Sequence, residues 1–498
     1  MKAIYKIFLP LLVAASILSS CTKELNQEPI SSISAVSFWK TENDALAGAN
    51  AMYVPLRTQN SNQSLQYNTY FLGEARSEMM TFGLAGSTGY NLYYENMLTS
   101  SAAGPSWIGY YSIINAANLV LKYVPEISFQ SETTKNNLLA EAYTIRAYTY
   151  FVMVRTWGDL VIRTEPMQQY DPADVQKERS PKEEVFKLIK EDVDKALELF
   201  PNNNLPTGRF KWSKPAANAL KAEIYLWTGK LLNGGTADLN TALTALNDVQ
   251  TADVTLLPNF ADIFSYTNKD NKEVIMAIRL DVAENVTGYT NYMYGYPIPP
   301  CTPQADKDLI GAQGSNANHA WQLSPAVRNA FTDDDQRKRA TFIDLYKYDA
   351  NCVKTDFLCA LTMKYKGTVV SGIRVFADDI ILYRYADILL MKAEVKNALG
   401  QDPSTEINMV RQRAYGANFP AHTFVNGSTV TNDEAILKER LLELAVEGKR
   451  WWDLVRFDKA FELVPSLQSR SSQRYLLLFP ISNAVLSLEP KVKQNPGY

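Results

Sequence analysis

Two eight-residue stretches, Ala222 to Gly229 and Ala393 to Gly400, align without a gap: each reads Ala-Glu, five residues, then Gly. Each closes a segment with a helical period. Over 214–229, Pro215 suits a first turn, and Ala216, Leu220, Ile224 and Trp227 share one face. The second segment covers 383–400. A further helical stretch follows each, over 237–250 and 404–414, and the small alanines let paired helices approach closely while the Gly closes the turn. This is tetratricopeptide-type pairing with loops too variable for a fixed period. Such pairs cannot bury their faces alone, so they must stack. A longer helix is expected over 136–157, where Leu138, Ala142, Ile145, Tyr148 and Val152 line a face before a stop near Gly158. Glu141, Glu223 and Glu394 lie beside the apolar stripes and are expected to pair with arginines such as Arg146 or Arg384. The fold class is therefore mainly α: a scaffold of helical pairs with loop-rich insertions at about 253–330 and 344–375 that contain short β-strands, one over 273–280. Loops held by a rigid frame are where binding usually resides.

The chain opens with Lys2 and Lys6, then an apolar run from Ile7 to Leu18. A membrane span needs ~20 residues, so this run is the length of a signal-peptide core. Leu18-Ser19-Ser20-Cys21 resembles a lipobox, in which Cys21 is the acylated N-terminus of the mature protein. Residues 1–20 are accordingly read as a lipoprotein signal peptide and 21–498 as one body, held on a membrane by several acyl chains.

Composition narrows the chemistry. Fifty basic against fifty-three acidic side chains argue against nucleic acid as a partner. His319 and His422 are the only histidines, and no zinc spacing, P-loop, G-x-G-x-x-G or G-x-S-x-G occurs, so neither a metal nor a cofactor is expected. Asp333-Asp334-Asp335 lacks calcium-loop spacing and reads as a solvated acidic turn. Cys352 and Cys359 are close enough to pair across a hairpin, which would leave Cys301 free.

Eight stretches carry a family resemblance: LSSC with KELNQEP; WIGYYSIINAAN; AEAYTIRAYTYFVMVRTWGDL; GRFKWSKPAANALKAEIYLWTG; SPAVRNAFTDDDQR; ILYRYADILLMKAEVKNALG; ERLLELAVEGKRWWDLVRF; and FPIS ending in QNPGY. In this order they resemble the SusD/RagB family of outer-membrane nutrient-binding lipoproteins. The resemblance implies a non-enzymatic protein, facing the cell exterior, that captures an oligosaccharide and hands it to a SusC-like TonB-dependent transporter. A peptide-binding RagB-like role is the alternative; a helical glycoside hydrolase, which would need two carboxylates across a cleft, ranks below it.

Within ERLLELAVEGKRWWDLVRF, one helix over 440–459 is expected, with Trp451 and Trp452 in its packed face and Glu447–Arg450 and Lys449–Asp453 as surface pairs. The resemblance assigns this segment to the frame. Ligand contacts, by the same analogy, cluster in two aromatic-rich loops. One supplies Tyr90, Asn91 and Tyr93; the other supplies Tyr292, Tyr294, Tyr296 and Trp321. In an extended segment Tyr292, Tyr294 and Tyr296 would face one way and Tyr289 the other, and Trp321 follows a Gly/Asn-rich run where a core Trp is not expected. Flat rings stack on the C–H faces of sugars at small entropic cost.

Overall fold

The computed structural model describes residues 38–57, 65–85, 89–168, 171–284, 288–313 and 319–498; the expected signal segment and Cys21 lie outside them. Eleven of its helices matter here. They are α1 (Glu42–Ala51), α2 (Leu65–Gly73), α3 (Ile108–Tyr123), α4 (Glu132–Trp157), α5 (Lys182–Leu199), α6 (Lys214–Leu231), α7 (Gly235–Val249), α8 (Tyr385–Ala398), α9 (Ser404–Tyr415), α10 (Thr429–Leu444) and α11 (Arg450–Arg456). Neighbours in sequence pack on each other from α3 through α9, and α10 returns onto α8. The expected stack of helical pairs is the frame, and the fold is mainly α. Among the described residues no helix is long and apolar enough to cross a membrane.

The two repeat glycines do different work. Gly400 turns the chain after α8 at φ 72°, where a side chain is strained but space is open. Gly229 does not end its helix, which runs on to Leu231. A Cβ there would sit 3.0 Å from Leu239 Cγ, so this glycine lets α7 lie close against α6. The turn itself falls to Asn233 and Gly235, both at positive φ. α4 behaves as its pattern requires: the Ser131 side chain accepts from the Thr134 N–H, and Gly158 at φ 76° stops it.

The insertions hold four two-stranded antiparallel sheets. β1 (Met80–Phe82) pairs with β3 (Trp321–Leu323), and β2 (Val274–Ile278) with β8 (Ile380–Arg384); β4 (Phe342–Tyr348) pairs with β5 (Lys354–Thr362), and β6 (Thr368–Val370) with β7 (Ile373–Val375). The disulfide differs from expectation: Cys301 bonds Cys352, and Cys359 is the free thiol. The hairpin register explains it. Cys352 sits in the turn at the tip, while Cys359 lies inside β5 opposite Leu345 and packs into an apolar cluster with Ile343 and Leu361. Burial pushes its thiol up to about 12.

The tryptophan pair is structural. Trp451 and Trp452 are buried, with the Arg76 guanidinium 4.5 Å over the first ring and Arg155 4.8 Å over the second. The single helix expected around them is instead two, α10 and α11, separated by a turn in which Val446 and Gly448 take positive φ. That break redirects the charges. Glu447 turns inward to Arg384 (2.7 Å) and Lys364 (2.7 Å), Arg450 reaches Glu78, and Lys449 pairs with Asp387 (3.0 Å). The backbone N–H groups of Gly448 and Lys449 both donate to the buried Glu74 carboxylate. Neither surface pair expected for a continuous helix forms. Replacing Trp452 with alanine should destabilise the fold by about 3 kcal/mol or more, as large aromatic-to-alanine core changes do, read as a fall in denaturation midpoint.

Of the three helix carboxylates, Glu223 meets Arg155 (2.6 Å) and Glu394 meets Arg456 (2.7 Å) between helices. Their partners differ from those named from sequence, because Arg146 holds Asp192 and Arg384 holds Glu273, Glu443 and Glu447. Glu141 has no arginine; its oxygens accept from Tyr53 and Asn137.

Candidate functional site: an aromatic cluster on β1 and β3

The pairing of β1 with β3 sets Phe82 opposite Trp321 and brings the second insertion against the segment after α2. Trp321 lies under a group of rings. Tyr70 stacks flat on it at 3.9 Å between centroids, Tyr90 meets it edge-on at 4.9 Å, Tyr292 tilts over it at 4.9 Å, and Phe71 touches at 5.5 Å. Phe71 also reaches Tyr90 and Tyr93, and the Tyr70 and Tyr94 hydroxyls are 2.8 Å apart. Edge-to-face and offset rings at these spacings hold each other rigidly. Burial pushes the Tyr93 and Tyr94 phenols well up, so both are neutral donors.

The sequence-named residues divide on this geometry. Tyr90, Asn91, Tyr93 and Tyr292 are half-buried, with Asn91 opening a short helix, Asn91–Tyr94, at the rim of the cluster. Trp321 is 0% exposed and belongs to the main core, contrary to the expectation of an open ring; its strand pairing with β1 folds it inward beneath Tyr90 and Tyr292. The expected one-sided array of Tyr292, Tyr294 and Tyr296 is absent because Tyr289–Met293 forms a tight 3-10 turn and not an extended strand. Tyr294 is 1% exposed in the second cluster beside Phe376, its hydroxyl donating to the Ile310 carbonyl, and Tyr296 packs partly buried on that same cluster. Tyr289 is fully buried and donates to the Val446 carbonyl (2.6 Å), so it is enclosed by packing and not turned away by strand parity. Tyr70 and Phe71 of α2 went unnamed; their signal is the aromatic run Tyr67 to Phe71, which reads from sequence as ordinary helix core.

His319 braces this region. Its Nδ1 accepts from the Leu84 N–H (3.0 Å) and its Nε2 faces the Ala360 carbonyl (3.0 Å), which fixes a neutral ring donating from Nε2, in keeping with the downward push of burial on its pKa. Tyr94 also walls a neighbouring cavity of about 760 Å³ whose lining mixes apolar side chains, Met80, Val327, Leu437 and Leu441 among them, with charged ones such as Glu78, Lys438 and Arg450. That cavity offers no flat ring besides Tyr94.

The acidic run is engaged by protein. Asp333 pairs with Lys338, Asp334 with His422 (2.7 Å), and Asp335, fully buried, with Arg337 (2.8 Å); only the first two fit a solvated turn. No group of three or more His, Cys, Asp or Glu suited to a metal ion occurs among the described residues.

Comparison with known proteins places the chain. It is 30% identical over 520 residues to the SusD-like protein P38 of Formosa agariphila, covering 98% of both chains. The chain belongs to the SusD family. The SusD family model matches residues 347–498, and a second model, described as starch-binding associating with outer membrane, matches 39–226. Among solved structures, NanU of B. fragilis is 33% identical and superposes with a TM-score of 0.82 over 95% of this chain and 99% of that one. A SusD superfamily protein of Bacteroides vulgatus gives 32% and 0.78, over 92% and 100%. A laminarin-binding SusD-like protein, at 23% identity and a TM-score of 0.75 over 92% of this chain and 100% of that one, shares the fold.

Proposed function

We propose that this SusD-family protein binds an oligosaccharide on the cell surface and delivers it to a SusC-like TonB-dependent transporter, anchored in the outer membrane through Cys21 and making or breaking no bond. The observation that carries the reading is the ring cluster: Tyr90 and Tyr292, half-buried, are braced from below by the buried Trp321. Rings so held lose little freedom when a sugar stacks on them. Asn91 and the Tyr93 hydroxyl supply hydrogen-bonding groups beside them. The contact set is therefore Tyr90, Asn91, Tyr93 and Tyr292, with Trp321 as the buried support. Tyr296 contributes only to a ligand long enough to reach the second cluster, and Tyr294 is withdrawn because its ring is enclosed. The family model's description and the binding named for the laminarin-binding relative support a glycan as cargo. Glu223, on one of the helices, is taken up by the frame: burial alone would raise it, but Arg155 and Lys449 outweigh burial and hold the group below the carboxylate range.

Screening the purified protein against a panel of oligosaccharides and peptides, with an assay for new reducing ends, tests this. Saturable binding of at least one oligosaccharide with no new ends is expected. Binding of peptides alone would make the RagB-like alternative the better account, and release of new ends would overturn the non-enzymatic reading.

A further inference from the structure

A second cleft lies away from the ring cluster, between α1, the first half of α4 and the loop leading into α6. It encloses about 440 Å³ and is lined by Asn137, Glu141, Lys211, Trp212, Ser213 and Lys214, among others. Three independent features meet there. First, α6 is an 18-residue helix whose N-terminus forms part of the wall. The N–H groups of its first turn have no acceptor within the helix, and Pro215 brings none. Second, Ser213 stands at the capping position but does not cap. It is 5% exposed, its Oγ has no hydrogen-bond partner, and only its carbonyl is engaged, by the Ala217 N–H at 2.8 Å. A buried hydroxyl left unpaired is costly unless something else fills the place. Third, Lys211 and Lys214 bring positive charge; the Lys211 ammonium donates to the neutral Asn50 side chain (2.8 Å) and, among the described residues, pairs with no carboxylate within salt-bridge distance.

We propose that this cleft binds a small oxyanion, a carboxylate or a sulfate, with Ser213 Oγ and the first-turn N–H groups of α6 as donors and Lys211 and Lys214 as counter-charges. Helix N-termini favour such groups through their aligned dipoles and unpaired donors. The one acid in the cleft is Glu141. Tyr53 and Asn137 donate to it, Lys211 is the cation acting on it, and burial raises it to about 7. It is therefore largely protonated below neutrality and opposes an anion only above it. The anion has two possible sources, a free inorganic oxyanion or an acidic saccharide. The site is independent of the ring cluster, so it stands or falls separately from the cargo reading.

Titration calorimetry of the purified full-length protein at pH 6 with sodium sulfate, sodium galacturonate and ionic-strength-matched sodium chloride decides it. Saturable binding of sulfate, galacturonate or both, with none for chloride, is expected. Galacturonate alone would identify an acidic saccharide as the source, and both together a bare oxyanion. Ser213→Ala should weaken binding roughly tenfold, the factor that one lost charge-assisted hydrogen bond removes. Its melting temperature without anion should be unchanged, because the hydroxyl caps nothing. Ser213→Thr should retain affinity, and raising the pH to 8 should weaken it as Glu141 ionises. Absence of binding, an equal response to chloride, or undiminished affinity in Ser213→Ala would overturn the proposal.

Discussion

Glu443→Ala should unfold at a clearly lower denaturant midpoint, with a loss of about 3–5 kcal/mol, the cost of breaking a buried ion pair by removing one partner. Glu443 sits at the centre of a dry charge cluster. Its carboxylate takes Arg384 (2.6 Å), Arg337 (3.1 Å) and Arg413, and all four side chains are at most 5% exposed. Arg384 is shared with Glu273 and Glu447, and Arg337 with Asp335 and Glu439, so the cluster ties β8, α9, α10 and the turn before α11 to the insertions. Deleting the carboxylate removes a shared counter-charge from three buried guanidinium groups and leaves them to the remaining acids. Burial by itself would raise the Glu443 pKa, but Arg413, Arg384 and Arg337 outweigh it and hold the group far below the usual carboxylate range. Glu394, held by Arg456 and Lys230 against the same burial, falls to about 2. Both folded values are depressed, so their stabilisation is complete above the unfolded value near 4.5 and is lost as pH falls toward the folded values. The wild type should therefore lose stability steeply below about pH 4.5, and Glu443→Ala should show a shallower acid limb. A loss under about 1 kcal/mol would mean the cluster adds no more than an exposed pair does.

Trp321→Ala carries the second large effect. The ring is fully buried against Tyr70, Phe71, Tyr90 and Tyr292, and its removal should cost about 3–5 kcal/mol, the range for deleting a large core aromatic. Glycan affinity should fall with it, because Tyr90 and Tyr292 lose the surface they rest on. Sequence reasoning instead expects a variant that binds less while folding normally. Thermal melting with and without ligand separates the two outcomes: an unchanged melting temperature would show that Trp321 is not the support described.

What could be read in advance follows from which forces are local. The stripes of α4 and α6 are visible because a helix face repeats along the chain, and Glu223 and Glu394 are readable as structural because a buried carboxylate must find a cation. The cation itself is not readable. Arg155 for Glu223 and Arg456 for Glu394 are brought close only by stacking. Gly448 permits a bend that the sequence shows, but Val446 at positive φ gives no such signal, so the full break between α10 and α11 is hidden, and with it the inward turn of Glu447. The disulfide follows the same logic: proximity in sequence favours Cys352 with Cys359, whereas hairpin register places Cys359 inside the strand and the loop holding Cys301 at the tip. For the ring cluster, the participation of two aromatic loops is legible, but which rings stay open depends on a 3-10 turn and on one three-residue strand pairing. Tyr292 and Tyr294 part company there, one to the rim and one to the interior.

The most direct test is calorimetric titration of the Tyr90→Ala/Tyr292→Ala double variant with whichever oligosaccharide the wild type binds. Loss of at least about tenfold in affinity, near 1.4 kcal/mol, with a cooperative melt retained, is the expected result. Wild-type affinity in a folded double variant would contradict it, and the sugar would have to be held elsewhere on the molecule.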